Sequence, residues 1–222
     1  MSIRYIVGNP GSGKSYLGAK VLYDAFLRPK KHSALSKILT LYKASKNDDK
    51  HKSIDEILKN SIKVENEFEV AYTNINEFKF ELSDKILKLD FEELKGRLST
   101  LYNEYKYNKD SNDAHLIELA KEQGLYKALF VIDEIHNFFD KDNDVLKWWL
   151  TYHRHLYQEL YLITQDLDLV SNEYKKVAEY FYKAVDSAKR FFSKKFRYIQ
   201  YSGYKLYQKD IIKIESRLQL NF

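Results

Sequence analysis

Apolar positions along the chain fall into strand-like runs separated by stretches of helical period. Ile3–Val7 is a short β-branched run that reads as a buried strand. Leu17, Val21, Leu22, Ala25 and Phe26 then recur at helical spacing over Ser15–Arg28, and Pro29 closes that helix. Residues 30–66 are polar and Lys-rich, with Ser53 and Glu56 ahead of Ile57 and Leu58 as a capping box for one short helix. Glu69–Asn74 reads as a second strand, and Asp90-x-x-Glu93 opens a helix with Phe91, Leu94, Leu98, Leu101 and Tyr105 on one side. A further helix is expected over 113–123. Ala128–Ile132 is apolar throughout and ends in Asp133-Glu134, the form of a strand buried on both faces. Asp144–His155 carries a helical stripe of Val145, Trp148, Trp149 and Tyr152. Leu160–Thr164 reads as strand, Val170–Phe181 as helix, Tyr182–Asp186 as strand and Phe196–Tyr201 as an edge strand.

Strands alternating with helices predict an α/β fold with a mostly parallel sheet and helices on both faces. The expected organisation is a single domain over 1–222, with a polar insertion at 30–66 and a helical insertion at 75–125. The run KASKNDDKHK within 30–66 has almost no large apolar residue. It reads either as a partner-facing surface or as a tolerated solvated loop.

Composition narrows the chemistry. The 222 residues include no cysteine, which excludes disulfides, a thiolate nucleophile, Cys-type zinc sites and iron–sulfur clusters. Nothing in the sequence approaches the ~20 apolar residues of a membrane span, and the N-terminus has no signal-peptide core. The expectation is a soluble intracellular domain. The net charge of +5 is mild and both signs are interspersed, which permits nucleic-acid binding without indicating it. Only 7 glycines occur, yet Gly8, Gly11, Gly13 and Gly18 crowd together with Pro10, so that stretch needs an unusual backbone.

That stretch, Gly8-Asn9-Pro10-Gly11-Ser12-Gly13-Lys14-Ser15, fits the phosphate-loop pattern G-x-x-x-x-G-K-[ST] in full. It follows a predicted strand and opens a predicted helix, as phosphate binding requires. Backbone N–H groups of such a loop turn inward on phosphate, and the helix N-terminus adds partial positive charge. The expected binding residues are Gly8, Asn9, Pro10, Gly11, Ser12, Gly13, Lys14, Ser15 and Tyr16. Lys14 would reach the β- and γ-phosphates of ATP, and the Ser15 hydroxyl would ligate Mg²⁺. The alternative is a surface turn before an ordinary helix.

A phosphate loop needs a partner carboxylate, and Asp133 at the end of its apolar strand would support Mg²⁺. Glu134 would serve as general base for the attacking water. Leu160–Thr164 has the same form, and in an additional-strand P-loop NTPase it would lie between the strands 3–7 and 129–132. Gln165 or Thr164 would then orient water; the other reading is a turn capped by Thr164 or Asp166. His153 and His155 cannot share one face of a helix, so they are poor joint metal ligands. Arg154 is either a catalytic residue that touches a phosphate, in the same or a neighbouring subunit, or a surface ion-pair residue. Arg190 and Arg197 are further arginines for such a trans role. Trp148 and Trp149 read as core or interface anchors rather than base-stacking groups.

Together, strand–GNPGSGKS–helix, YTN, FVIDEIHNFF, a helix ending YHRH, and LYLITQDLDLV resemble the N-terminal domain of the zonula occludens toxin (Zot) family, related to the gene I assembly ATPases of filamentous phages. HRH followed by an apolar strand and TQ is the most discriminating part. The resemblance spans roughly residues 1–190. It implies an ATPase on the cytoplasmic face of the bacterial inner membrane that powers filamentous phage assembly and export. The implied partners are phage export and coat proteins and further copies of the chain, with a membrane helix after this domain. That helix is not in this sequence, which therefore reads either as an isolated domain or as a truncated piece of a longer chain. Two other functions remain open: a DNA-translocating or packaging ATPase with direct DNA contact, and a secreted toxin acting on host epithelial tight junctions.

Overall fold

The computed structural model describes residues 1–28, 67–108, 112–186 and 195–218. The polar stretch 30–66 with its capping box, Pro29 and Arg190 lie outside the described residues. Among the described residues eight strands form one sheet: β1 (Ile3–Val7), β2 (Val70–Thr73), β3 (Ile86–Lys88), β4 (Ala128–Ile132), β5 (Glu159–Thr164), β6 (Tyr180–Ala184), β7 (Lys195–Tyr201) and β8 (Ile211–Leu218). Their order is β3-β2-β4-β5-β1-β6-β7-β8. The first six strands in that order run parallel, and β7 and β8 are antiparallel additions. β5 thus lies between β1 and β4, as expected for an additional-strand P-loop NTPase.

The strand runs follow from burial on both faces. Every residue of β4 is buried, as are Ile3, Tyr5, Ile6 and Val7 of β1. On one face α1 (Lys14–Leu22) covers β4 and β5, and its last turn continues as a π-helical turn over Tyr23–Leu27. Gly18 permits that contact, because a Cβ there would lie 2.8 Å from Val131 and 2.9 Å from Ile163. The other face is covered by α2 (Phe91–Tyr107), α3 (Asp113–Glu122) and α4 (Asp144–Tyr152), whose buried residues join one core with Phe130, Leu160 and Leu162. Asp90 caps α2 by accepting the Glu93 N–H at 3.1 Å, the capping predicted from its sequence. Trp148 and Trp149 are both buried in this core. Residues 75–125 carry β3 as well as helices, and Leu89, Phe91, Leu94, Leu98, Leu101 and Leu116 are part of the same core.

Two expectations are corrected. Val170–Phe181 is not one helix: α5 covers only Asn172–Lys176, and Tyr180 and Phe181 already belong to β6. Pairing of Tyr180 and Phe181 with Arg4 and Tyr5 outweighs the helical spacing of Val170, Tyr174, Val177 and Phe181. The strand at 196–201 is not an edge, because β8 pairs along its whole length.

Candidate functional site

The parallel strands β1, β4 and β5 all end at one edge of the sheet, and the sequence-predicted residues meet there. Gly8–Gly13 links β1 to α1, with Gly13 as the helix N-cap at φ 97°, a left-handed value that disfavours a side chain. Ser15, the second residue of α1, donates its hydroxyl to the Asp133 carboxylate at 2.6 Å. Lys14 is buried at the helix start, and its ammonium donates to the Asn9 carbonyl at 3.1 Å. Burial lowers its pKa, and the nearby Glu134 and Asp133 charges oppose that shift. A cation so desolvated, beside an array of loop amides, suits an anionic ligand.

Asp133 is fixed through its backbone. Asn74, just past β2, accepts the Asp133 N–H at 2.7 Å and donates to its carbonyl at 2.9 Å. Glu134 stands in the left-handed region at φ 50°, ψ 47°, an uncommon conformation for a residue with a side chain. Gln165, the first residue after β5, donates to Glu134 Oε1 at 3.1 Å. Glu134 Oε2 is buried without a hydrogen-bond partner, and His136 Nδ1 lies 3.4 Å away. The same Nδ1 is 3.1 Å from Thr164 Oγ1. The Thr164 hydroxyl gives its proton to the Asp166 carbonyl at 3.0 Å, so His136 Nδ1 must carry the proton between them. Asp166 in turn caps the short turn Leu167–Leu169 by accepting the Asp168 N–H. The capping reading of this strand end holds for Asp166, and Gln165 beside it stands against Glu134.

Asn74 and His136 are absent from the sequence-predicted set. Asn74 was legible only as the end of a strand, and His136 only as a letter beside Asp133-Glu134. A third residue of this kind is Tyr198 on β7, whose hydroxyl donates to the Gly13 carbonyl at 2.7 Å across 185 positions of sequence. Asn9, in the loop, donates to Asp186 after β6 at 2.8 Å.

Arg154 is not brought to this edge. It follows α4 at the opposite end of the sheet and pairs with Glu179, whose other oxygen accepts the Ile3 N–H at 2.6 Å. A contact between Arg154 and the phosphate loop of the same chain is thereby ruled out. His153 points inward to the Leu150 carbonyl at 2.8 Å, while His155 points outward to Asp113 at 3.1 Å. Arg197 lies exposed on β7.

Ser15, Asn74, Asp133, Glu134 and Phe138 line a cleft of about 320 Å³ beside α1. Among the described residues no group of three or more His, Asp or Glu side chains is placed to hold a metal ion. A cation at Ser15 and Asp133 would therefore draw most of its oxygens from water and ligand, the usual habit of Mg²⁺. No helix among the described residues is long and apolar enough to cross a membrane.

The sequence profile described as zonular occludens toxin (Zot) matches residues 49–215, well over half of the chain. The chain belongs to the Zot family. That match does not include the phosphate loop, so the loop and the profile are separate observations. No curated protein matches the chain. Among solved structures, the N-terminal domain of zonular occludens toxin from Neisseria meningitidis is 15% identical, covering 90% of this chain and 83% of that one with a TM-score of 0.49. The genome packaging NTPase B204 of Sulfolobus turreted icosahedral virus 2, in complex with ATP-gammaS, is 15% identical over 97% and 96% at a TM-score of 0.47. The cytoplasmic domain of the Thermomonospora curvata type VII secretion ATPase EccC is 8% identical, covering 99% of this chain and 24% of that one at a TM-score of 0.51. This Zot-family fold is that of a P-loop NTPase.

Proposed function

We propose that this Zot-family chain is a Mg²⁺-dependent ATPase, and that its turnover powers assembly and export of a filamentous phage at the bacterial inner membrane. The observation that carries the enzymatic part is the 2.6 Å contact of Ser15 with Asp133, which joins positions 118 residues apart beside the buried Lys14. The phage role is supported by family membership and comes with its implied partners: further copies of the chain and phage export and coat proteins.

ATP would lie on the Gly8–Gly13 loop with its β- and γ-phosphates at Lys14. Ser15 and Asp133 would hold Mg²⁺, which would supply positive charge to neutralise what develops on the phosphate oxygens. Glu134 takes a proton from water as the water oxygen bonds to the γ-phosphorus. The bond from that phosphorus to the bridging oxygen breaks, releasing ADP and phosphate. Gln165 holds Glu134 Oε1 and so orients the base. His136, held by Thr164 of β5, places its ring nitrogen 3.4 Å from the other oxygen of that acid.

Phosphate release from Mg²⁺-ATP by the wild type and Lys14→Ala tests the enzymatic part. Turnover should fall by about 10²-fold or more in the variant, since a charge-stabilising donor is lost from the reacting phosphates. Equal rates would refute the site. Particle release from cells carrying Lys14→Ala in place of the wild type tests the coupling. Undiminished release together with lost ATPase activity would separate the enzyme from export.

A further inference from the structure

A helix start is commonly fastened by an N-cap side chain that accepts one of its free N–H groups. α1 starts without one: its N-cap is Gly13, in the left-handed region, and no side chain caps it. The first-turn N–H groups thus stay open for an anion. The helix start is also left without its ordinary anchor. A substitute comes from across the sheet. Tyr198, in the middle of β7 and buried, donates its hydroxyl to the Gly13 carbonyl at 2.7 Å. The same carbonyl accepts the Leu17 N–H at 3.1 Å, so both of its lone pairs are used.

The peptide between Gly13 and Lys14 is one rigid trans unit, in which C=O and N–H point in opposite directions. Holding the carbonyl toward Tyr198 and Leu17 therefore holds the Lys14 N–H the other way, out of the helix start. A capping side chain would occupy a first-turn N–H; Tyr198 anchors the same point and occupies none. The loop's other end is framed by β6. Asn9 donates to Asp186 at 2.8 Å, and a Cβ at Gly8 would fall 2.9 Å from the Ala184 carbonyl oxygen. A glycine-rich backbone has many other conformations open to it. Contacts such as that of Tyr198 decide what share of the free protein has its loop shaped for phosphate.

We propose that Tyr198 is a positioning residue of the phosphate site, its hydroxyl holding the Gly13–Lys14 peptide so that the Lys14 N–H faces the phosphates of the ligand. The inference rests on the reading of Gly8–Ser15 as a triphosphate site. The hydroxyl acts before the ligand arrives. Apparent affinity scales with the fraction of molecules already in the competent form, so losing the hydroxyl weakens binding and leaves the reacting atoms untouched. It serves the phosphates and not the nucleoside.

Calorimetric titration of the full 222-residue chain with Mg²⁺-ATP and Mg²⁺-tripolyphosphate tests this, on wild type, Tyr198→Phe and Ile199→Val. Phenylalanine keeps the ring in its buried place and removes the hydroxyl alone. Both ligands should bind Tyr198→Phe about 3- to 10-fold more weakly, the worth of one neutral hydrogen bond. KM for ATP should rise and kcat should hold, since ground state and transition state lose the same contact. Ile199, the next residue of β7, packs against the core on the other face of the sheet. Ile199→Val loosens that strand without reaching the loop and should leave both affinities unchanged. Urea unfolding ranks the two variants by stability. Affinity that falls in both variants in step with stability would make Tyr198 a support of β7 and overturn the proposal, as would unchanged affinity in Tyr198→Phe. A loss confined to ATP, or a lower kcat at constant KM, would overturn it too. Each of these outcomes leaves the triphosphate site standing. If the wild type binds neither ligand, the site reading fails and takes this inference with it.

Discussion

The two ends of the central strands treat their charged residues in opposite ways. At the starts of β1 and β5, Arg4 pairs with Glu159 and donates to Tyr161 at 2.6 Å, and Arg154 pairs with Glu179. The second oxygen of Glu179 is taken by the Ile3 N–H. Each charge there meets its partners within the chain. At the other end, Lys14 is buried with a backbone carbonyl as its acceptor, and Glu134 Oε2 is buried with no hydrogen bond at all. Polar groups are costly to leave in that condition. The lesson is that buried charged groups left without a full set of hydrogen bonds mark the functional end of this sheet, whereas the unpartnered His153 Nε2 at the other end belongs to a ring that burial keeps neutral.

The sharpest way to break the contrast is Glu134→Gln. The amide keeps the shape and can accept from Gln165, but it cannot take a proton from water. Turnover should fall by about 10²–10⁴-fold, the range for a general base, with ATP binding retained. Normal single-turnover hydrolysis in this variant would move the base elsewhere, with Gln165 the first residue to re-examine as the water-orienting group.

At the opposite end the corresponding probe is pH. His153 is buried, with Nε2 lacking a partner, and burial with the nearby Arg154 charge lowers its pKa from 6.5 to about 4. The unfolded chain therefore binds the proton more readily than the folded one between these values. Stability is fully present above about pH 6.5 and is lost as pH falls toward 4, by up to about 3 kcal/mol from this group. Urea unfolding at pH 7 and pH 4.5 should show the loss, and His153→Gln should reduce its slope. An unchanged slope would mean that His153 titrates normally.

The contrast was only partly legible in the sequence. Continuous apolar runs in β1, β4 and β5 gave the strands, and the polar residues that follow them gave Lys14, Ser15, Asp133, Glu134 and Gln165. These are local signals, and local signals survive folding when a strand is buried on both faces. What bound the site together was not local. Asn74 reaches the Asp133 backbone across 59 positions and Tyr198 reaches Gly13 across 185, and no periodicity encodes either contact. β3 has three residues, too few to show alternation, and β8 alternates apolar and polar residues only weakly. Arg154 looked equivalent to a catalytic arginine because sequence shows its charge and not which end of β5 it occupies.

His136 sharpens the picture at the functional end. Its Nδ1–H lies between Thr164 and the unbonded oxygen of Glu134. Nδ1 stands 3.4 Å from Glu134 Oε2 without hydrogen-bonding it, so replacement by Phe should cost only about twofold to fivefold in kcat without changing ATP affinity. Asn places an amide nitrogen near the Nδ1 position and should restore much of the rate, whereas Gln should not. In a Glu134→Gln background the His136→Phe change should have little further effect. Additive losses would show that His136 acts on the fold instead of on Glu134.

Arg154→Ala probes the structural end with the smallest expected effect. The guanidinium is 59% exposed, so its pair with Glu179 is screened by water and should contribute only about 0–1 kcal/mol. Glu179 keeps its bond to the Ile3 N–H, which leaves no buried carboxylate unpaired. Urea unfolding should therefore shift slightly, and ATP turnover in dilute protein should match the wild type. The concentration series is the demanding part. A neighbour's arginine would make turnover rise with protein concentration, and for Arg154 to serve that role the rise must vanish in Arg154→Ala. The pairing with Glu179 argues that it persists, since moving Arg154 onto a neighbouring triphosphate would first have to break that contact. A rise abolished by this substitution would show that a charge fully paired within its own chain can still act on another, and would end the distinction between the two ends.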